Sequence, residues 1–145
     1  MHNPNPKNVF FLHGNALICV KGIGHGYVAA QRNIFHCKDL PDCYLGFIQH
    51  LDKHIPVVDT ARLFGLPQLE QYFLHVVVTE NTDKRERPFA LAASDYLGVS
   101  KNTTTHDLTE NISEITINQV FELSIEHLKY RIEEETLIAF GAPGI

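Results

Sequence analysis

The chain lacks a run of about 18 apolar residues, the least that a membrane-crossing helix needs, so no membrane insertion is expected. Its first residues, MHNPNPKNVFF, lack a charged stretch followed by an apolar one. No secretory leader is therefore expected, and a cytoplasmic location follows. Basic residues are in deficit: 12 Lys and Arg stand against 17 Asp and Glu, a net charge of −5 with the nine histidines neutral. A nucleic-acid partner, which calls for a basic stripe, is not expected. Cysteine is scarce as well. Cys19, Cys37 and Cys43 are odd in number and form no C-x-x-C, which argues against a disulfide framework and fits reduced thiols packed as small apolar groups. None of the four serines, Ser94, Ser100, Ser113 and Ser124, stands in a G-x-S-x-G elbow.

What is present is an ordinary globular balance, 44% hydrophobic and 20% charged, in a length that suits one domain with a substantial core. Residues 1–8 are polar, carry Pro4 and Pro6, and read as a flexible arm. Val9 to Val20 is apolar but interrupted at Gly14-Asn15, a hairpin-type turn, which predicts strands near 9–13 and 16–20. Lys21 to Gly26, KGIGHG, reads as a glycine-rich loop. Its G-x-G-x-G spacing misses the dinucleotide fingerprint, and no Lys-Ser or Lys-Thr follows, so no nucleotide site is expected. Tyr27 to Ile34 fits either a short helix or a strand. Tyr72 to Thr79 is β-branched and aromatic, the strongest strand signal in the chain. Phe89 to Ala93 is its return strand, with the charged tip Asn81 to Arg87 between them. Ser100 to Asn111 is polar and reads as a long loop.

His36, Cys37, Cys43, His50 and His54 carry zinc-compatible donors. The six-residue gap from Cys37 to Cys43 is too wide for a usual zinc pair, and Pro56 argues against a helix that would align His50 with His54. Surface histidines are the simpler account, and no metal or other cofactor is expected. The region from Leu123 to Phe140 pulls two ways. Charge density and propensity favour a helix, with Lys129 and Glu133 one turn apart. Leu128, Tyr130 and Ile132 alternate, however, and Glu133-Glu134-Glu135 separates them from a second apolar run, which fits a closing hairpin with an acidic tip. The hairpin is preferred.

The most informative segment is Tyr44 to Leu66, YLGFIQHLDKHIPVVDTARLFGL. It reads as strand, turn, strand and one short helix. Asp59 stands where an N-cap belongs and Gly65 where a helix should stop. Pro56, without an N–H, suits a strand start or a sheet edge. Val57, Val58, Leu63 and Phe64 read as core.

This segment resembles the CheW-like family, whose most distinctive stretch has the form G-x-x-N-L-R-G-x-x-x-P-V-x-D-L-R-x-L-L-G. Gly46, Pro56, Val57, Asp59, Leu63 and Gly65 match without a gap. The turn departs from it: Leu51 stands where the family has arginine, and Asp52 where it has glycine. Asp tolerates a left-handed backbone better than most residues. The second family arginine is Ala61 here, with Arg62 one step later.

The resemblance implies a mainly β protein of two SH3-like five-stranded barrels packed together with short helices, spanning 9–145. It implies a non-catalytic adaptor that couples the cytoplasmic tip of a chemoreceptor to the regulatory domain of a histidine kinase. Its protein-binding positions would be Leu51, Asp52 and Arg62. A relative serving a type IV pilus or gliding system is one alternative, and a small metal-binding or enzymatic β-barrel is another. Family chains often continue into a final short helix, for which the hairpin reading leaves no room.

Overall fold

The computed structural model describes residues 6–30, 34–36, 40–50, 53–70, 72, 74–80, 87–101, 103–105, 108 and 116–139. The Gly14-Asn15 turn joins β1 (Lys7–His13) to β2 (Ala16–Ile23), an antiparallel hairpin that pairs Phe10 with Cys19 and His13 with Ala16. The hairpin is the expected one, longer by two residues at its start and three at its end. β2 leads through a bend at Gly24 into β3 (His25–Ala30). KGIGHG is therefore not a loop: it is the end of one strand, a corner, and the start of the next. Gly24 N donates to Thr79 O at 2.8 Å, which ties that corner to the second sheet. The ambiguity over Tyr27 to Ile34 resolves to strand as far as Ala30.

β4 (Tyr44–His50) and β5 (Lys53–Val58) form the second hairpin and lead into helix α1 (Thr60–Phe64). β6 (Leu74–Thr79) and β7 (Phe89–Ala93) form the third, with Val77 opposite Ala90. β8 (Asp95–Ser100), β9 (Gln119–Ser124) and helix α2 (Ile125–Ala139) complete the order. Two sheets result, β8-β1-β2-β9 and β3-β6-β7-β5-β4. The chain passes between them at Gly24 and again at Ser94. β5 pairs parallel with β7 only at Val57 and Val58, so this ladder begins just after Pro56. The mainly β, two-sheet architecture is the expected one, although neither ladder closes into a ring among the described residues.

Both faces of the central strands are covered, which is why their sequences read as continuous apolar runs. Val9 and Phe11 face a central core with Ile18, Val20, Val76 and Leu91, while Phe10 and Leu12 face a second core with Leu17 and Cys19. On the other sheet, Val76 and Val78 join the central core, and Val77 enters a third with Ile48, Ile55, Val57 and Ala90. Each sheet thus has its own core, and the two share the one between them.

The region 123–140 corrects the hairpin expectation. Ser124 Oγ accepts from His127 N at 3.0 Å, capping a 15-residue helix. Ile125, Leu128 and Ile132 are buried in the central core, at i, i+3 and i+7, while Tyr130 is 62% exposed. The apparent alternation contained one residue that faces solvent, and the 3.6-residue period governs. The acidic triplet is a turn of helix, and a C-terminal helix is present where the hairpin left no room for one. In the expected polar loop, Thr105 and Leu108 are helical, and Leu108 packs on the core of the first sheet.

Candidate functional site: the junction of the two sheets

Helix α1 is a single turn held at both ends. Asp59 Oδ1 accepts from Arg62 N at 3.4 Å, the cap expected from sequence. Gly65, at φ 65°, ends the helix, and Leu66 N donates to Ala61 O at 2.8 Å. Thr60 Oγ1 donates to Ala92 O at 2.6 Å, fastening the turn to β7. Val57, Val58, Leu63 and Phe64 are all buried, as expected.

Of the five α1 residues only Arg62 reaches solvent. Its Nε lies 3.5 Å from Glu135 Oε2 on α2, and its Nη2 lies 4.0 Å from Asp42 Oδ2. Half-exposed pairs of this kind contribute about 0–1 kcal/mol. Arg131, one α2 turn before Glu135, donates to Leu63 O and lies 5.5 Å from the Phe64 ring centroid. Phe64 in turn packs against Phe121 of β9, with ring centroids 5.2 Å apart. The Arg62 side chain thus serves partly to join α1 to α2, and Arg131, which sequence reasoning did not single out, does so more directly.

Leu51 and Asp52 lie outside the described residues, as do Lys84 to Glu86 of the expected charged tip, and Cys37. The flanks of the β4–β5 turn are described: His50 pairs with Lys53 and Gln49 with His54. The His50 ring meets that of Tyr27 on β3, with centroids 5.5 Å apart. β3 and β4 are the two edges of the five-stranded sheet, so this contact shows the sheet curling toward closure. Phe35 completes the approach through a two-bond bridge to Phe47, N to O at 2.8 and 2.9 Å. Gly46 makes the approach possible. Its φ is 147°, and a Cβ there would sit 2.5 Å from Phe35 O and from Ile34 Cγ2. Tyr27, Val28 and Phe35 remain 36%, 40% and 59% exposed, with Tyr27 and Val28, adjacent on β3, on opposite faces of the sheet.

Between the sheets lies a cavity of about 300 Å³. One wall is the β1–β2 turn from His13 to Ala16; the other is Leu66, Pro67 and Leu69 after α1; Asn118 and Gln119 close it. The turn is pinned by Ser94, whose Oγ donates to Leu12 O at 3.0 Å and accepts from Gly14 N at 2.9 Å. Asn118 N donates to Asn15 O at 3.0 Å. A chain of side chains runs beside the cavity: His13 Nε2 is 3.0 Å from Tyr72 Oη, Tyr72 donates to Gln68 Oε1 at 3.1 Å, and Gln68 Nε2 donates to Asp59 Oδ2 at 2.8 Å. Burial lowers the His13 pKa and raises that of Tyr72, so both are neutral near pH 7. The cavity lining carries no formal charge.

This arrangement is suited to holding an uncharged, partly apolar group against amide side chains. Nucleophilic chemistry has poor support in it. Ser94 uses its hydroxyl in the turn, and burial together with Glu122 pushes the Cys19 thiol up to about 12. Among the described residues no group of three His, Cys, Asp or Glu side chains is placed to hold a metal ion. Of the donors weighed for zinc, Cys43 is buried in the central core while His54 is exposed at the hairpin end. No sequence signal joined His13 to Gln68 and Tyr72, because two segments far apart in the chain bring them together.

No protein-family model matches the chain, and no characterised protein matches it in sequence. Among solved structures, it is similar to the scaffolding protein TtCheW from Thermoanaerobacter tengcongensis, at a TM-score of 0.53 and 19% identity, over 70% of this chain and 75% of that one. Mainly β with two sheets and few helices, this chain has a CheW-like fold.

Proposed function

We propose that the protein is a non-catalytic adaptor of chemotaxis-type signal transduction, joining the cytoplasmic tip of a chemoreceptor to the regulatory domain of a histidine kinase. The observation that carries this reading is the fold, shared with a scaffolding protein. Its surfaces are compatible with the role. The uncharged groove between the sheets can receive an apolar side chain of a helical tip, and the five-stranded sheet presents the part-exposed Tyr27 against His50 at the end of β4. Aromatic anchors with a polar rim are the usual form of such contacts. Leu51, Asp52 and Arg62 remain the proposed partner-contact positions. No helix among the described residues is long and apolar enough to cross a membrane, and an adaptor of this kind would work beside the receptor tip in the cytoplasm.

Co-purification tests the reading. The tagged chain should retain a histidine-kinase regulatory domain and a receptor-tip fragment together; retention of neither would reject it. Leu51 standing where the family has arginine favours a second reading, an adaptor of a type IV pilus or gliding system with other partners. A Leu51→Arg variant should strengthen kinase retention if that position contacts the kinase; unchanged retention removes it from the contact surface. One equivalent of tightly bound zinc, or turnover of a small metabolite, would instead favour a metal-binding or enzymatic protein.

A further inference from the structure

We propose that Gln68 and Tyr72 are positioning residues: the hydrogen-bond chain through them is a strut that sets the spacing of the cavity walls and so the affinity for the receptor tip that enters there. The affinity half of this rests on the adaptor reading; the strut itself does not.

The chain has only one consistent direction. The Asp59 carboxylate can only accept, and it takes Arg62 N on Oδ1 and the Gln68 amide on Oδ2. That orients the Gln68 amide, so its Oε1 faces away from Asp59 and accepts the Tyr72 hydroxyl proton. Tyr72 then has only a lone pair left for His13, which must present an N–H at Nε2. One carboxylate at a helix cap therefore fixes an amide orientation, a hydroxyl rotor and a histidine tautomer on the opposite sheet.

Position gives the strut its consequence. Leu66, Pro67 and Leu69, which supply one cavity wall, are in no helix or strand. Gln68 stands in sequence between the wall residues Pro67 and Leu69 and is bound at both ends of its amide. The Tyr72 ring packs on the core of the five-stranded sheet while its hydroxyl reaches β1 of the other. The walls meet where a Cβ on Gly14 would lie 3.4 Å from Leu69 Cδ2, so their spacing can be read as a Gly14–Leu69 proximity.

Tyr72→Phe removes both hydroxyl bonds and keeps the ring. In the wild type, side-chain 15N NMR should show His13 as a single Nε2–H tautomer, together with a Gly14 Hα to Leu69 methyl NOE. In Tyr72→Phe the tautomer should become mixed and the NOE weaken, with backbone shifts of both sheets retained. Binding of a receptor-tip fragment should fall by the order of tenfold, the scale of one or two hydrogen bonds. His13→Gln, which keeps an amide N–H in reach of Tyr72, should hold the NOE, whereas His13→Ala should lose it. Mixed His13 tautomers in the wild type, or an unchanged NOE in Tyr72→Phe, would overturn the strut. Full fragment affinity in Tyr72→Phe with the NOE lost would overturn its role in binding. If the wild-type chain holds neither fragment, the adaptor reading and the affinity half fail together, while the NMR measurements still decide the strut.

Discussion

Gly46→Ala should be among the most damaging single-methyl changes in this protein, and its cost can be divided by experiment. Gly46 has φ 147°, a region that residues with a Cβ rarely adopt, and the new methyl would sit 2.5 Å from the Phe35 carbonyl oxygen and from Ile34 Cγ2. The backbone cost alone is about 1–3 kcal/mol. The collision adds about 1–3 kcal/mol, because Phe35 is held by two backbone bonds to Phe47 and cannot retreat without breaking the bridge. Gly98 supplies the control: its φ is 123°, and nothing lies within 4 Å of a Cβ built there. Gly98→Ala should show the conformational cost without the collision. In urea unfolding with a slope near 2 kcal/mol per molar, Gly46→Ala should lower the midpoint by roughly 1–3 M, and Gly98→Ala by about half as much. Equal midpoints for the two variants would refute the close approach of residues 34–35 to β4.

Stability should fall with acid below pH 6.5. His75 is 1% exposed, its Nδ1 has no hydrogen-bond partner among the described residues, and burial lowers its pKa, as it does that of His13. The unfolded chain takes up these protons first, so the stability is present above about pH 6.5 and declines toward the lowered folded values, at up to about 1.4 kcal/mol per pH unit for each histidine; His75→Leu should flatten that slope in urea titrations. Asp59→Ala should cost about 1–2 kcal/mol, measured by thermal melting, through the loss of the α1 cap. Arg131→Ala should cost more than Arg62→Ala, by about 1–2 kcal/mol, since Arg131 donates to a backbone carbonyl and lies by Phe64 whereas Arg62 makes only solvent-screened pairs. Cys19 and Cys43 are buried, so a thiol reagent should modify them only once the protein is unfolded.

The elements legible in the sequence were those whose signal is local. Gly14-Asn15 marked the first hairpin, Asp59 and Gly65 bracketed α1, and the Tyr72–Thr79 and Phe89–Ala93 runs gave the third hairpin. What escaped depends on partners distant in the chain. KGIGHG looked like a loop because glycine density is a local cue, yet pairing to β1 on one side of Gly24 and to β6 on the other keeps both flanks extended. α2 looked like a hairpin because Tyr130 was counted as a core residue; only the surface beneath the helix decides which apolar residues face inward. The junction is less legible still. Asp59 was readable as a cap, but nothing in the order of residues says that its second oxygen holds Gln68, or that Tyr72 reaches His13 across 59 positions.

The three cores bear on how an adaptor without chemistry would work. A body that signals by shape must keep its two halves in fixed relation, and here the halves share their largest core. Residues from both sheets enter it, and α2 closes it with Ile125, Leu128 and Ile132. Around that core the polar contacts repeat the same linkage: Lys129 of α2 meets Glu80 at the end of β6 at 2.8 Å, Arg131 meets α1, and Ser94 and Tyr72 hold the β1–β2 turn against the second sheet. Pulling the sheets apart would expose the central core, a cost far larger than any single surface contact could offset. If partners bind as proposed, their forces would be transmitted through the body as a unit, while the 66–69 segment beside the cavity, outside any helix or strand, is the part least tied into the sheets. A protein built this way could change the spacing of one groove without changing the angle between its halves.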